Sequence, residues 1–141
     1  MQKSRSDSTM NDIKRLSNER FPEPIGAYSN GLSIPIGDKQ LVVLTGQIAT
    51  NAAGEAQYVD DPRKQTEYIF ENIKSLLREA DGDIDNIVRV VIYVTDMKDF
   101  SKISPVRNEY LKNAKPVSTL VEVNKLTIEG CKVEIEVTAI I

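Results

Sequence analysis

Apolar and polar positions alternate most strictly near the end of the chain. Val133, Ile135, Val137 and Ala139 interleave with Lys132, Glu134, Glu136 and Thr138, the period-2 pattern of a strand with unlike faces. Upstream, Val117, Thr119, Val121 and Val123 interleave with Ser118, Leu120 and Glu122. Strands are therefore predicted over 117–123 and 132–140, joined by a loop through Thr127 and Gly130. Paired as a hairpin with Glu122 opposite Lys132, they would set Leu120 against Glu134 and Ser118 against Glu136. One face would be an apolar floor; the other would carry carboxylates, a hydroxyl and one leucine.

Residues 1–17 are polar and mixed in charge, which predicts a flexible N-terminal tail ahead of a single domain over 18–141. Phe21-Pro22-Glu23-Pro24-Ile25-Gly26 is too rich in proline for a helix and reads as a shaped lead-in to a strand over 27–34. After a turn through Gly37 and Asp38, the run Leu41-Val42-Val43-Leu44 predicts a buried strand over 40–48. Asp61-Pro62 opens a helix by cap and first-turn proline, and Thr66, Ile69, Phe70, Ile73, Leu76, Leu77 and Ala80 share one face. Gly82 is the expected terminating glycine. A central strand follows over 87–95, then a helix within 100–111. There Pro105 is best accommodated if Ser104 caps a start at that point. Helices mixed with hairpin-linked strands predict an α+β domain with both helices on one face of a sheet.

Composition changes this picture mainly by exclusion. The 141 residues form one domain able to bury a real core, and 18 basic against 21 acidic residues leave a net charge of −3. Nucleic acid is therefore not an expected partner. No apolar run approaches the ~20 residues of a membrane span, and the start has no secretory apolar segment. One cysteine, Cys131, precludes an internal disulfide and suits a reducing, cytoplasmic setting. With no histidine, any catalysis falls to carboxylates, hydroxyls, Tyr, Lys, Arg, the thiol or backbone amides. No nucleotide, metal or redox-cofactor motif occurs, so neither cofactor nor metal is expected.

Several features carry candidate chemistry. Tyr28, just after Gly26, either aims its hydroxyl into a pocket or stands as a half-buried strand aromatic. Thr45-Gly46-Gln47 offers backbone amides near a glycine, which marks either a plain bulge or a close approach to something bound. Glu122, Glu134 and Glu136 are either an acid–base set on one sheet face or a solvated face. Asp81, Asp83 and Asp85 lack the glycine and closing glutamate of a calcium loop and read as a helix-to-strand turn.

Taken together, Pro24-Ile25-Gly26-Ala27-Tyr28-Ser29-Asn30-Gly31, Leu44-Thr45-Gly46-Gln47-Ile48, Val94-Thr95-Asp96-Met97-Lys98-Asp99-Phe100, Val121-Glu122-Val123 and Val133-Glu134-Ile135-Glu136-Val137 resemble the RidA (YjgF, Rid) family. The resemblance implies a chorismate-mutase-like mixed sheet with two helices on one face. It also implies a homotrimer with a small-molecule cleft at each subunit interface. The well-studied branch hydrolyses enamines and imines such as 2-aminoacrylate to keto acids and ammonia without a cofactor. Carried onto this chain, the resemblance makes Tyr28 and Glu134 catalytic, with Glu134 positioning the hydrolytic water, and places Gly46 at the ligand.

The same resemblance locates a departure. The active branch carries a carboxylate-gripping arginine two residues after the proline; here Pro116-Val117-Ser118-Thr119-Leu120 puts Ser118 there. Leu120 stands for a cysteine and Ser104 for a helix asparagine. Serine cannot replace a bidentate guanidinium. Ser118, Thr119 and Leu120 are expected to line the ligand cleft, with Arg107, and beside it Lys115, as replacement cations. The leading expectation is an enamine/imine deaminase-type cleft in an arginine-lacking branch. The alternatives are a non-catalytic metabolite-binding or regulatory trimer and, third, an endoribonuclease or translation inhibitor.

Overall fold

The structure is a computed structural model that describes residues 12–141. Its strands are β1 (Lys14–Leu16), β2 (Gly31–Ile36), β3 (Lys39–Leu44), β4 (Ile87–Val94), β5 (Val117–Glu122) and β6 (Val133–Ile140). The helices are α1 (Pro62–Glu79) and α2 (Phe100–Tyr110), and short 3-10 turns precede β4 and α2. One six-stranded mixed sheet runs in the order β1-β2-β3-β6-β4-β5. Both helices pack on one face of it, as expected for the α+β class.

The expected closing hairpin does not form. β5 lies parallel to β4, with Ile92 beside Leu120, and β6 pairs antiparallel with β4 on its other side. The helix between β4 and β5 makes the crossover that a parallel pair requires. This corrects the expected faces. Leu120 and Glu122 run beside Ile92 and Val94 on the helix-covered face, whereas Glu134 and Glu136 run beside Tyr93 and Val91 on the other. Glu122 is therefore not part of a three-carboxylate face; its Oε1 accepts the Met97 amide at 2.8 Å and caps the turn before α2.

The apolar floor of β6 is as predicted: Val133, Ile135, Val137 and Ala139 are all buried, against Val90, Ile92 and Val94 and the α1 stripe Ile69, Ile73, Leu76 and Leu77. Each such aliphatic side chain contributes roughly 1.5–3 kcal/mol by leaving water. Phe70 and Tyr110 stack at 4.9 Å and join the two helices.

Local chemistry sets the element ends. Asp61 caps α1 by accepting the Lys64 amide at 3.0 Å, with Pro62 in the first turn. Asp81, not Gly82, takes the left-handed turn at the end of α1 (φ 63°). Its amide donates to the Arg78 carbonyl and that of Gly82 to the Leu77 carbonyl, a Schellman closure. Gly82 lies against the Ile141 side chain, which would have to shift to admit a Cβ there. α2 starts at Phe100, earlier than a Ser104 cap would allow, and holds Pro105 inside it. Buried Ile103 and Val106 hold that turn on the core while Pro105 faces solvent.

Strands β2 and β3 are shorter than expected, beginning at Gly31 and ending at Leu44. The Tyr28 amide donates to the Gly26 carbonyl, turning the chain before the ladder starts. Part of the expected tail is ordered: Lys14–Leu16 pairs with β2 and Leu16 is buried. Residues 1–11 lie outside the described residues. No helix among the described residues is long and apolar enough to cross a membrane.

One buried side chain ties α1 to the entry of β6. Gln65 Nε2 donates to the carbonyls of Tyr58 (3.0 Å) and Gly130 (2.8 Å), and Oε1 accepts the Lys132 amide (2.8 Å). Gln65→Leu should orphan these groups. We expect destabilisation of about 1–3 kcal/mol for each group left without water, read as a lower urea midpoint with an unchanged m-value.

Candidate functional site

The site grows from a bulge. Val43 lies opposite Thr138 and Gln47 opposite Ile135, four steps along one strand against three along the other. The extra residue turns Thr45-Gly46 out of the ladder. Mutual bonds between Gln47 and Ile135 (2.8 and 2.9 Å) then lock the bulge to β6. Glu134 comes to rest on Gly46, and a Cβ at that glycine would fall on Glu134 Oε2. The glycine thus serves a close side-chain approach.

Glu134 and Glu136 leave β6 on the open face. Tyr93 stands opposite Glu134 in register, and its hydroxyl donates to Glu136 Oε1. With Gly46, Val123, Lys125 and Leu126 they line a cleft of about 220 Å³. Burial pushes the Glu134 carboxyl above its ordinary 4.5, and the neighbouring Glu136 charge adds to this. The hydrogen bond to Glu136, then burial, raises the Tyr93 phenol. Among the described residues no donor reaches the Glu134 carboxyl. It is a carboxyl that can hold a proton and release it, beside a glycine that leaves room.

The other candidates lie elsewhere on the subunit. Arg107, Lys115 and Ser118 line one depression of about 470 Å³, between the end of α2 and the start of β5. Neither cation pairs with a carboxylate among the described residues; the Arg107 guanidinium lies 5.8 Å from the Phe100 ring centre and its Nε donates to Asn108. Tyr28, 50 % exposed, lines a third depression with Arg15, Glu23 and Gly26. Thr119 leaves β5 on the open face beside Val91, opposite to Ser118, and the partly buried Leu120 packs against the core. Within one subunit the structure joins Gly46 with Glu134, and Ser118 with Arg107 and Lys115, but not the two groups with each other or with Tyr28. Asp83 accepts the Ile84 amide at 2.7 Å in a capping box, a turn as expected. Among the described residues no acidic or thiol cluster suits a metal ion.

Sequence reasoning missed Tyr93 as a site residue. The only hint was a hydroxyl-bearing residue in an aliphatic strand; its role needs the β4–β6 pairing.

A family model described as Endoribonuclease L-PSP matches residues 18–141. The chain belongs to the RidA/YjgF family. It is 35% identical over 108 residues to a RutC family protein of Pyrococcus abyssi, covering 77% of this chain and 82% of that one. Similarity extends, at 27% identity over 94% of this chain and 99% of the relative, to a 2-iminobutanoate/2-iminopropanoate deaminase of Dermatophagoides farinae. Among solved folds, the Rid family protein YyfA of Yersinia pestis, of unknown function, superposes with a TM-score of 0.79 at 29% identity, covering 90% and 98% of the two chains. The matched residues begin after β1, which pairs with the sheet.

Two outcomes follow for the Gly46–Glu134 contact. Gly46→Ala should force the carboxyl off the bulge; we expect the Glu134 titration, followed by carboxyl NMR, to move toward that of an exposed glutamate. The second concerns pH. A carboxyl raised in the folded state stabilises fully below its unfolded value, and that contribution is lost as pH rises through the folded value. The native chain should therefore lose stability relative to Glu134→Gln as pH climbs from below 4.5 through the raised value. Denaturant midpoints measured across that range check it; parallel curves would contradict it.

Proposed function

We propose that this RidA-family chain is a cofactor-independent deaminase-type hydrolase of small enamines and imines. The observation that carries this reading is Glu134, a carboxyl whose pKa burial and Glu136 push upward, seated on Gly46 in an open-face cleft. The iminium form of the substrate presents C=NH2+. As water oxygen bonds to that carbon, the C=N π pair moves to nitrogen and Glu134 takes the water proton. Glu134 then returns the proton to nitrogen. The C–N bond breaks, the carbonyl forms, and the hydroxyl proton leaves with ammonia as ammonium. One carboxyl serves as base and then acid, which suits a raised pKa. The Gly46 amide donates to the oxygen added at that carbon, and Tyr28 with Thr119 orients the ligand.

The working site is completed between subunits of a homotrimer. Leu32, Ile34, Leu41, Val43 and Ile140 share the uncovered sheet face and are left partly or largely exposed, an apolar surface that suits contact with further copies. Assembly brings a neighbour's Ser118 depression to the Glu134 cleft. In this branch Arg107 and Lys115 hold the substrate carboxylate in place of the arginine that Ser118 replaces. The deaminase name of the mite relative supports the same reaction class.

The test is turnover of 2-aminoacrylate generated in situ. The native chain should be active, and Glu134→Gln should lower kcat by roughly 10²–10⁴-fold, the usual weight of a positioned acid–base group. Arg107→Gln and Lys115→Gln should raise KM by about tenfold each, as charge-assisted bonds are lost. Activity only in Ser118→Arg would mean that the hydrolytic groups are intact but the natural substrate carries no carboxylate. No turnover in either would sink the hydrolase reading in favour of a trimer that binds metabolites without converting them.

A further inference from the structure

Tyr93 and Glu136 are a hydrogen-bonded pair in the 220 Å³ cleft, yet the proposed reaction uses neither. Glu134 and Glu136 are two residues apart on β6. They leave the same face about 6–7 Å apart along the strand. In register Tyr93 faces Glu134, but its hydroxyl reaches past it to the diagonal neighbour Glu136, a span open to aromatic side chains. The two carboxyls therefore differ. Glu136 accepts the Tyr93 phenol, which fixes where its carboxyl points. Glu134 has no donor among the described residues and rests on Gly46 in partial burial.

We propose that Tyr93 is a positioning residue for Glu134 that acts through Glu136. Its hydroxyl pins the Glu136 carboxylate on the open face, so that Glu134 is the member of the pair left to take and return the proton. Two carboxyls in one cleft would otherwise share a proton between them, and the hydrolytic proton could reside on the wrong one. Other charged groups bear on the pair. Lys125 lies on the rim from the β5–β6 connection, Arg89 stands four residues before Tyr93 on β4, and Cys131 lies buried at the base of β6. Of these residues, Tyr93 alone bonds either carboxylate.

This inference rests on the hydrolytic reading of Glu134, but its test does not need turnover. The native full-length assembly, labelled with carboxyl 13C glutamate, is titrated beside Tyr93→Phe and Glu136→Gln. Removing the Glu136 charge should move the Glu134 midpoint down. Removing the Tyr93 hydroxyl should make the Glu134 signal titrate in two steps, as the proton becomes shared. If 2-aminoacrylate is turned over, Tyr93→Phe should shift the acid limb of the kcat profile while KM holds. An unchanged Glu134 titration in both variants, with only a lowered melting temperature in Tyr93→Phe, would overturn the proposal and leave the tyrosine a structural role. Absence of turnover in the native chain, with the titration shifts present, would remove the deaminase reading but leave the coupling of Tyr93, Glu136 and Glu134 standing.

Discussion

The structure depends on β6 being paired along both edges. β3 lies on one side and β4 on the other, so the last strand of the chain stitches the N-terminal strands to the βαβ unit that holds β5. Its inward row, Val133 to Ala139, is the floor on which α1 rests. Its outward row carries the two carboxyls of the cleft. One strand thus couples the core and the candidate chemistry, and a slip of one residue would exchange them by sending glutamates into the core. The Gln65 clamp just before β6 and the Gln47–Ile135 bonds within it pin that register at two points.

The cleft works against ordinary stability. A carboxyl that is partly buried beside a second carboxyl and, among the described residues, bonded by no donor holds its charge at a cost. A core built only for stability would place a neutral or paired group there. The bulge at Thr45-Gly46 makes room for this arrangement, and Tyr93 relieves only the neighbouring carboxylate. Local conflict with folding, set against a sound hydrophobic floor, is the usual mark of a functional position.

The division of candidate residues is equally informative. Gly46 and Glu134 lie on the open face, Ser118 with Arg107 and Lys115 at the β5 edge, and Tyr28 near the N-terminal lead-in. A single subunit offers separate partial sites. The partly exposed apolar side chains of the open face, among them Leu32, Val43 and Ile140, lie beside the first of these.

Much of this was legible along the chain because the relevant interactions are local. The α1 stripe, its Asp61 cap and Pro62, and the alternation of 133–140 follow from periods and capping chemistry that act over a few residues. Short motifs likewise pointed to Gly46 and Glu134. Strand neighbours were not legible. Alternation states which residues share a face of one strand, but not which strand lies beside it, and the hairpin expected of 117–123 and 132–140 gave way to a parallel partner across α2. That choice put Glu122 and Leu120 on the helix side and brought Tyr93 to the glutamates. Pro105 was misplaced for a related reason, since burial of Ile103 and Val106 outweighs a local preference for a later start. The sequence by itself determined which segments are strands or helices, because that depends on spacing and capping over a few residues. Only the tertiary structure decided the faces and neighbours, because pairing energy comes from residues far apart in the chain.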